Sequence, residues 1–309
     1  MKHLVAATAL AVTFAAPASF AATFGPLVTP AELAERLEAV DPIVLDIRGD
    51  AYETGHIDGA ISAPYALFRG PKENPGQALD ADTLEERFEA LGLATDRSVV
   101  IVPDGATDTD FGAAARVYWT LKSTGFSDLS ILNGGIAGWE AAGLSLQSEP
   151  STLPATELDI TFDDTWTADT DEVVAATRGE VDALLLDARP DAFYEGRKGH
   201  AAAAMPGTLP GADNLVYTSF FDDGSSAIDS RIDAPDLMQT LGVTDGQEVV
   251  SFCNTGHWAA TNWFALSEVA GLDNVKLYPG SMVEYSNAGH EVANAPGLVG
   301  NFINKLRGN

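Results

Sequence analysis

The chain resembles itself. Val44-Leu45-Asp46-Ile47-Arg48 recurs 141 residues later as Leu185-Leu186-Asp187-Ala188-Arg189. Leu91-Gly92-Leu93 followed by Val99-Val100 recurs as Leu241-Gly242-Val243 followed by Val249-Val250, with the same internal spacing. Gly134, Trp139 and Gly143 recur as Gly280, Tyr285 and Gly289. Three ordered, collinear matches mean a duplicated unit, and 309 residues suit two domains of ordinary size. Two copies of one fold are therefore expected.

Each half alternates short apolar runs with helix signals. Thr29-Pro30-Ala31-Glu32 has the form of a capping box with Pro at the first helical position, ahead of Leu33, Leu37 and Val40. The apolar run Ile43-Val44-Leu45 reads as a buried strand. Asp82 to Glu85 caps a helix that ends at Gly92, and Val99 to Val102 forms the next strand. The second half repeats the pattern with Asp169 to Glu172, Ala183 to Leu186, Asp233 to Asp236 and Glu248 to Phe252. Strands alternating with helices predict an α/β class: two domains, each with a mostly parallel central sheet and helices on both faces. The stretch 148–167, rich in Ser, Thr, Asp and Pro and without periodicity, is the expected linker.

Lys+Arg 17 against Asp+Glu 45 gives a formal charge of −28, which repels phosphate backbones and anionic lipid and excludes nucleic acid as a partner. Any anion site must be built locally from a few cations or backbone N–H groups. Lys2, an apolar run from Leu4 to Ala16 and small residues up to Ala21 have the form of a secretory signal peptide over 1–21. That run is too short to span a bilayer, so the mature protein is expected to be soluble and periplasmic or secreted, with no membrane insertion.

An exported protein usually uses cysteine in pairs, yet Cys253 is alone. It directly follows the strand Val249 to Phe252 and opens Cys253-Asn254-Thr255-Gly256-His257-Trp258, with a helix expected over about Ala259 to Ala270. Amides of a strand-to-helix loop can converge on one point and lower a thiol pKa, and His257 could add charge or a hydrogen bond. Asn254, Thr255, Gly256, His257 and Trp258 are thus the expected cradle of a reactive thiolate.

These features together resemble the tandem-domain rhodaneses, the thiosulfate and 3-mercaptopyruvate sulfurtransferase family. The features are the duplication, Asp-x-Arg after the first strand of each half, and Gly55-His56-Ile57-Asp58-Gly59-Ala60. To these are added Asn133-Gly134-Gly135 leading to Trp139, and one Cys-x-x-Gly loop in the second half. The resemblance implies a non-catalytic domain over 22–147 and a catalytic domain over 168–309. It also implies a persulfide mechanism in which Cys253 takes sulfane sulfur from a small anionic donor, thiosulfate foremost, and passes it to cyanide, a thiol or a protein acceptor. No cofactor is expected beyond the covalent persulfide, and a monomer is expected. The alternative is a carrier that holds a persulfide for a dedicated partner without turnover. In the first half, Pro103 or, with a one-residue shift, Asp104 stands opposite Cys253, and neither can accept sulfur.

The active loop departs from the family's Cys-Arg-Lys-Gly-Val-Thr and Cys-Gly-Ser-Gly-Val-Thr forms, and Trp258 stands where single-domain relatives often carry Arg. A loop without cations directs attention to Arg197 and Lys198, in the segment where the family places substrate-binding arginine. Asp187 and Arg189 read as an internal ion pair that fixes the loop near the site, as do Asp46 and Arg48. Trp258 reads equally as a pocket wall or as filler between domains.

No metal is expected. The histidines form no ligand-spaced cluster, and Asp104, Asp108 and Asp110 lack the Gly and terminal Glu of a calcium loop. A thiol phosphatase would close Cys-x5-Arg, and that position is Ala259.

Overall fold

The computed structural model describes residues 23–244 and 246–296; the expected signal peptide at 1–21 lies outside them. Runs of branched apolar residues become short strands buried on both faces, as a parallel sheet covered by helices requires. The first sheet contains β1 (Leu27–Val28), β2 (Ile43–Asp46), β3 (Ile61–Ser62), β4 (Val99–Val102) and β5 (Leu129–Leu132). Their order is β1-β5-β4-β2-β3, and every ladder is parallel. The helices are α1 (Pro30–Val40), α2 (Ala81–Leu91), α3 (Thr109–Ser123) and α4 (Gly135–Ala141).

The second half is built alike. Strands β6 (Ala183–Asp187), β7 (Asp213–Asn214), β8 (Glu248–Phe252) and β9 (Val275–Leu277) form a parallel sheet in the order β7-β6-β8-β9. A single parallel bridge, Thr167 to Leu277, stands where β1 pairs with β5 in the first half. The helices here are α5 (Thr170–Thr177), α6 (Asp191–Tyr194), α7 (Ala234–Leu241), α8 (Trp258–Phe264) and α9 (Ser281–Asn287). Two mostly parallel α/β domains are what the duplication required.

Helix starts follow the capping signals with one shift. Thr29 accepts the Glu32 amide, and Asp169 and Glu172 form a reciprocal box. In the first domain Asp80, not Asp82, caps α2, because its extended backbone lets its carboxylate accept the Thr83 amide at 2.8 Å. The helix expected over 259–270 is also not uniform: α8 ends at Phe264 and a wide π turn, Ala265–Val269, continues it. Glu268 on that turn accepts from Lys122 Nζ at 2.7 Å and from the Tyr118 hydroxyl at 3.1 Å, both on α3.

The two cores meet along α3 and α8. Phe111 and Tyr118 meet the Phe264 ring edge-on, with centroids 5.3 and 5.0 Å away, and Ala114, Ala115, Ala260 and Trp263 are buried in the same cluster. Gly112 lies so close to His257 that a Cβ would collide with its carbonyl, so the N-terminal half of α3 closes onto the start of α8. The middle of the 148–167 stretch adheres to the first domain. Leu158 and Ile160 amides donate to Glu89 and Glu85, one turn apart on α2, which satisfies backbone groups that have no ladder partner.

Candidate active site

The site is framed first by a buried ion pair. Asp187 ends β6, and Arg189 returns to it through its own amide at 3.0 Å, Nε at 2.8 Å and Nη2 at 2.6 Å. Both side chains are sealed from solvent. The remaining polar capacity is used: Thr208 donates to Asp187 Oδ2, Arg189 donates to the Gly207 carbonyl, and its Nη1 donates to Asn254 Oδ1 at 3.0 Å. Such a pair survives desolvation only with hydrogen bonds of this completeness. It orients the residue that follows Cys253. Asp46 and Arg48 repeat the arrangement in the first domain, where Arg48 reaches the Gly55 carbonyl.

Cys253 leaves the carboxyl end of β8. Its carbonyl and that of Asn254 accept the amides of Met282 and Val283, each at 3.1 Å. In the first domain the carbonyls of Pro103 and Asp104 accept the amides of Ile136 and Ala137, at 3.0 and 2.9 Å. The hydrogen-bond equivalence sets Pro103 opposite Cys253 and Asp104 opposite Asn254.

Ser281 closes the loop. It holds φ 52, a left-handed backbone that costs a non-glycine residue of order 1–2 kcal/mol. The equivalent residue in the first domain is Gly135, at φ 59. In return the Ser281 hydroxyl accepts the amides of Cys253 at 3.0 Å and Gly256 at 3.2 Å, and donates to the Tyr278 carbonyl at 2.8 Å. Two of the loop amides thus bond a hydroxyl, where the sequence suggested a ring of amides around sulfur. The amides of Asn254, Thr255, His257 and Trp258 have no protein acceptor among the described residues. Gly256 is at φ 66 and packs against Arg116 and Pro279 without room for a Cβ.

The cations come from the first domain. Arg69 donates through Nη2 to the Thr255 carbonyl at 2.8 Å and through Nη1 to the Tyr65 hydroxyl at 3.0 Å. Arg116, buried on α3, donates to the carbonyls of Gly76 at 2.9 Å and Gly256 at 3.5 Å. Burial, and next the neighbouring Arg69 charge, lower its pKa to about 9, while interaction with Tyr65 and then Cys253 opposes the fall. It therefore stays charged at neutral pH. The segment 69–77 lies across the cysteine loop, with Gly76 in direct contact with Thr255 and Asn74 donating to Glu284 at 2.7 Å. Cys253 itself is 1% exposed beneath it.

His257 supplies no charge. Burial first, then Arg69, depress its pKa to about 4, so the ring is neutral at physiological pH. Nε2 faces the Thr109 carbonyl at 2.9 Å and must carry the proton, which leaves Nδ1 to accept from the Tyr65 hydroxyl at 3.1 Å. A chain of donors runs from Arg69 through Tyr65 and His257 to Thr109. Burial raises the Tyr65 pKa, so its hydroxyl keeps the proton it donates.

Trp258 is interface. It stacks on Tyr217 with ring centroids 5.1 Å apart and donates to the Thr109 hydroxyl of the first domain at 2.7 Å. Arg197 is exposed and paired with Glu195, and Lys198 stands over the Phe193 ring, whose edge meets Trp258. Among the described residues, neither cation hydrogen-bonds to the cysteine loop. A cleft of about 340 Å³ at the domain seam is lined by Asp108, Asp222 and Asp223, a lining hostile to an anion, and includes no residue of the loop.

Arg69, Arg116, Tyr65 and Ser281 were not visible as site residues in the sequence. The three from the first domain act across separations such as 186 residues for Arg69 to Thr255, and nothing local marks them.

A family model described as "Rhodanese-like domain" matches residues 29–142 and again 170–288. A protein named thiosulfate sulfurtransferase from Pseudomonas aeruginosa is 32% identical over 263 residues, 84% of this chain and 94% of that protein. One of the same name from Azotobacter vinelandii is 32% identical with the same coverage. The crystal structure of SseA from Escherichia coli, described under 3-mercaptopyruvate sulfotransferases, superposes with a TM-score of 0.66 at 23% identity, covering 83% of this chain and 98% of that one.

Proposed function

Because the chain belongs to the rhodanese-like domain family as a tandem pair, we propose that it moves sulfane sulfur from an anionic donor, thiosulfate foremost, to a thiophilic acceptor through a persulfide on Cys253. The observation that carries this reading is the asymmetry between two equivalent positions. One holds Pro103; the other holds a thiol at a strand end, in a loop locked by Ser281 and overlaid by two arginines.

The chemistry balances without a cofactor. The Cys253 thiolate attacks the sulfane sulfur of thiosulfate; a sulfur–sulfur bond forms on the cysteine as the donor's own breaks, and the electron pair leaves with sulfite. Cyanide or a thiolate then takes the outer sulfur and returns the thiolate. A persulfide anion needs the same donors and positive potential as a thiolate, and the unengaged loop amides and Arg116 supply them.

Purified protein incubated with thiosulfate and cyanide should yield thiocyanate, and Cys253→Ser should abolish it. Equal turnover by the two proteins overturns the reading. The leader-like segment 1–21 further supports export to a periplasm or the medium, which fractionation of cells expressing the full chain would test.

A further inference from the structure

Among the described residues, neither Arg69 nor Arg116 forms an ion pair, although the chain has 45 acidic side chains against 17 basic ones. Two adjacent guanidinium groups repel one another, and Arg116 is desolvated as well, offset only in part by the Tyr65 and Cys253 side chains and the Trp119 ring. The two differ in what they can still bind. Arg116 is fully buried, its Nη1 and Nη2 are directed at Gly256 and Gly76, and its Nε has no hydrogen-bond partner among the described residues. Arg69 is half-buried, and two hydrogen bonds leave three of a guanidinium's five N–H donors unused. Its anchor is the Thr255 carbonyl, two residues from the nucleophile.

We infer that Arg69, from the domain without a cysteine, binds the oxyanion end of the sulfur donor and receives the charge that gathers there as the leaving group departs. This rests on the sulfurtransferase reading and assigns its donor recognition. In thiosulfate the negative charge is shared between the sulfane sulfur and the sulfonate oxygens. Once the thiolate has attacked and sulfite leaves, the departing charge lies on sulfite. A guanidinium fork on those oxygens therefore strengthens its hold as the bond breaks. Arg116, held by the Gly76 and Gly256 carbonyls, remains a fixed positive charge whose field reaches Cys253. The donor is thereby held by one half of the duplicated chain and attacked by the other.

The test uses the full chain and two readouts on wild type, Arg69→Gln and Arg69→Lys. In thiosulfate–cyanide kinetics, Arg69→Gln should lower kcat/KM for thiosulfate by about tenfold or more, with Arg69→Lys recovering part. In alkylation of Cys253, the ratio of the iodoacetate rate to the iodoacetamide rate should fall severalfold in Arg69→Gln and recover in Arg69→Lys. A purely structural role would slow the anionic and neutral reagents alike, so an unchanged ratio overturns the inference, as does a kcat/KM for thiosulfate within twofold of wild type. If wild type makes no thiocyanate, the sulfurtransferase reading fails, and the alkylation ratio still decides the role of Arg69.

Discussion

Arg189 and Asn254 are joined by a 3.0 Å hydrogen bond that links the end of β6 to the residue after Cys253. The guanidinium that makes it is already locked to Asp187, so the cysteine loop is oriented by a charge pair it does not contain.

Breaking that pair should be costly. Asp187→Asn leaves a buried arginine without its counter-charge and is expected to destabilise the protein by about 3–5 kcal/mol. Arg197→Ala removes an exposed pair with Glu195 and should shift stability by less than about 1 kcal/mol. Urea midpoints for the two variants would check the contrast, and similar midpoints would refute it.

Ser281 carries two opposing effects. Ser281→Ala strands the buried amides of Cys253 and Gly256 and keeps the unfavourable backbone, for a loss of about 1–3 kcal/mol. Ser281→Gly strands the same amides but relaxes φ, so it should be the less destabilised of the two. Thermal unfolding of both variants tests the order.

Depression of the His257 pKa makes stability depend on pH in a definite direction. The unfolded imidazole binds a proton below about 6.5, and the folded one only near 4. Between these values the unfolded state holds more protons, so this contribution is complete above about 6.5 and is lost as pH falls towards 4. The ring keeps some contact with solvent, which limits the effect to roughly 2 kcal/mol. His257→Asn should flatten the melting temperature between pH 7 and 4.5 relative to wild type. The groups that set the shift, Arg69, Arg116, Asp110 and the Thr109 carbonyl, are unchanged in that comparison. Parallel curves would exclude the assignment.

Moving the thiol should not move the activity. Pro103→Cys in a Cys253→Ser background places a cysteine at the equivalent position, but the counterpart of Ser281 there is Gly135, which has no hydroxyl for the loop amides. Thiocyanate production is expected to stay at the Cys253→Ser level.

What the sequence disclosed was local. The apolar runs at Val99–Val102 and Glu248–Phe252, the Asp169–Glu172 box and the Asp-x-Arg pairs depend on residues a few positions apart, and periodicity or spacing exposes them. The rest depends on contacts that spacing does not encode. Asp80 displaced Asp82 as a cap because of backbone direction, and Ser281 was hidden between Gly280 and Tyr285, both noticed only as echoes of the first half. Arg69 and Arg116 lie in unremarkable stretches and gain meaning only when α3 and the 69–77 segment close onto the other domain.

The seam of Phe111, Tyr118, Trp263 and Phe264 makes the two halves inseparable. A fragment carrying Cys253 alone would present bare aromatic rings to water and forfeit its arginines. The copy with Pro103 at the equivalent strand end is thus tied to the fate of its twin, because damage to it would surface in the half that carries the cysteine.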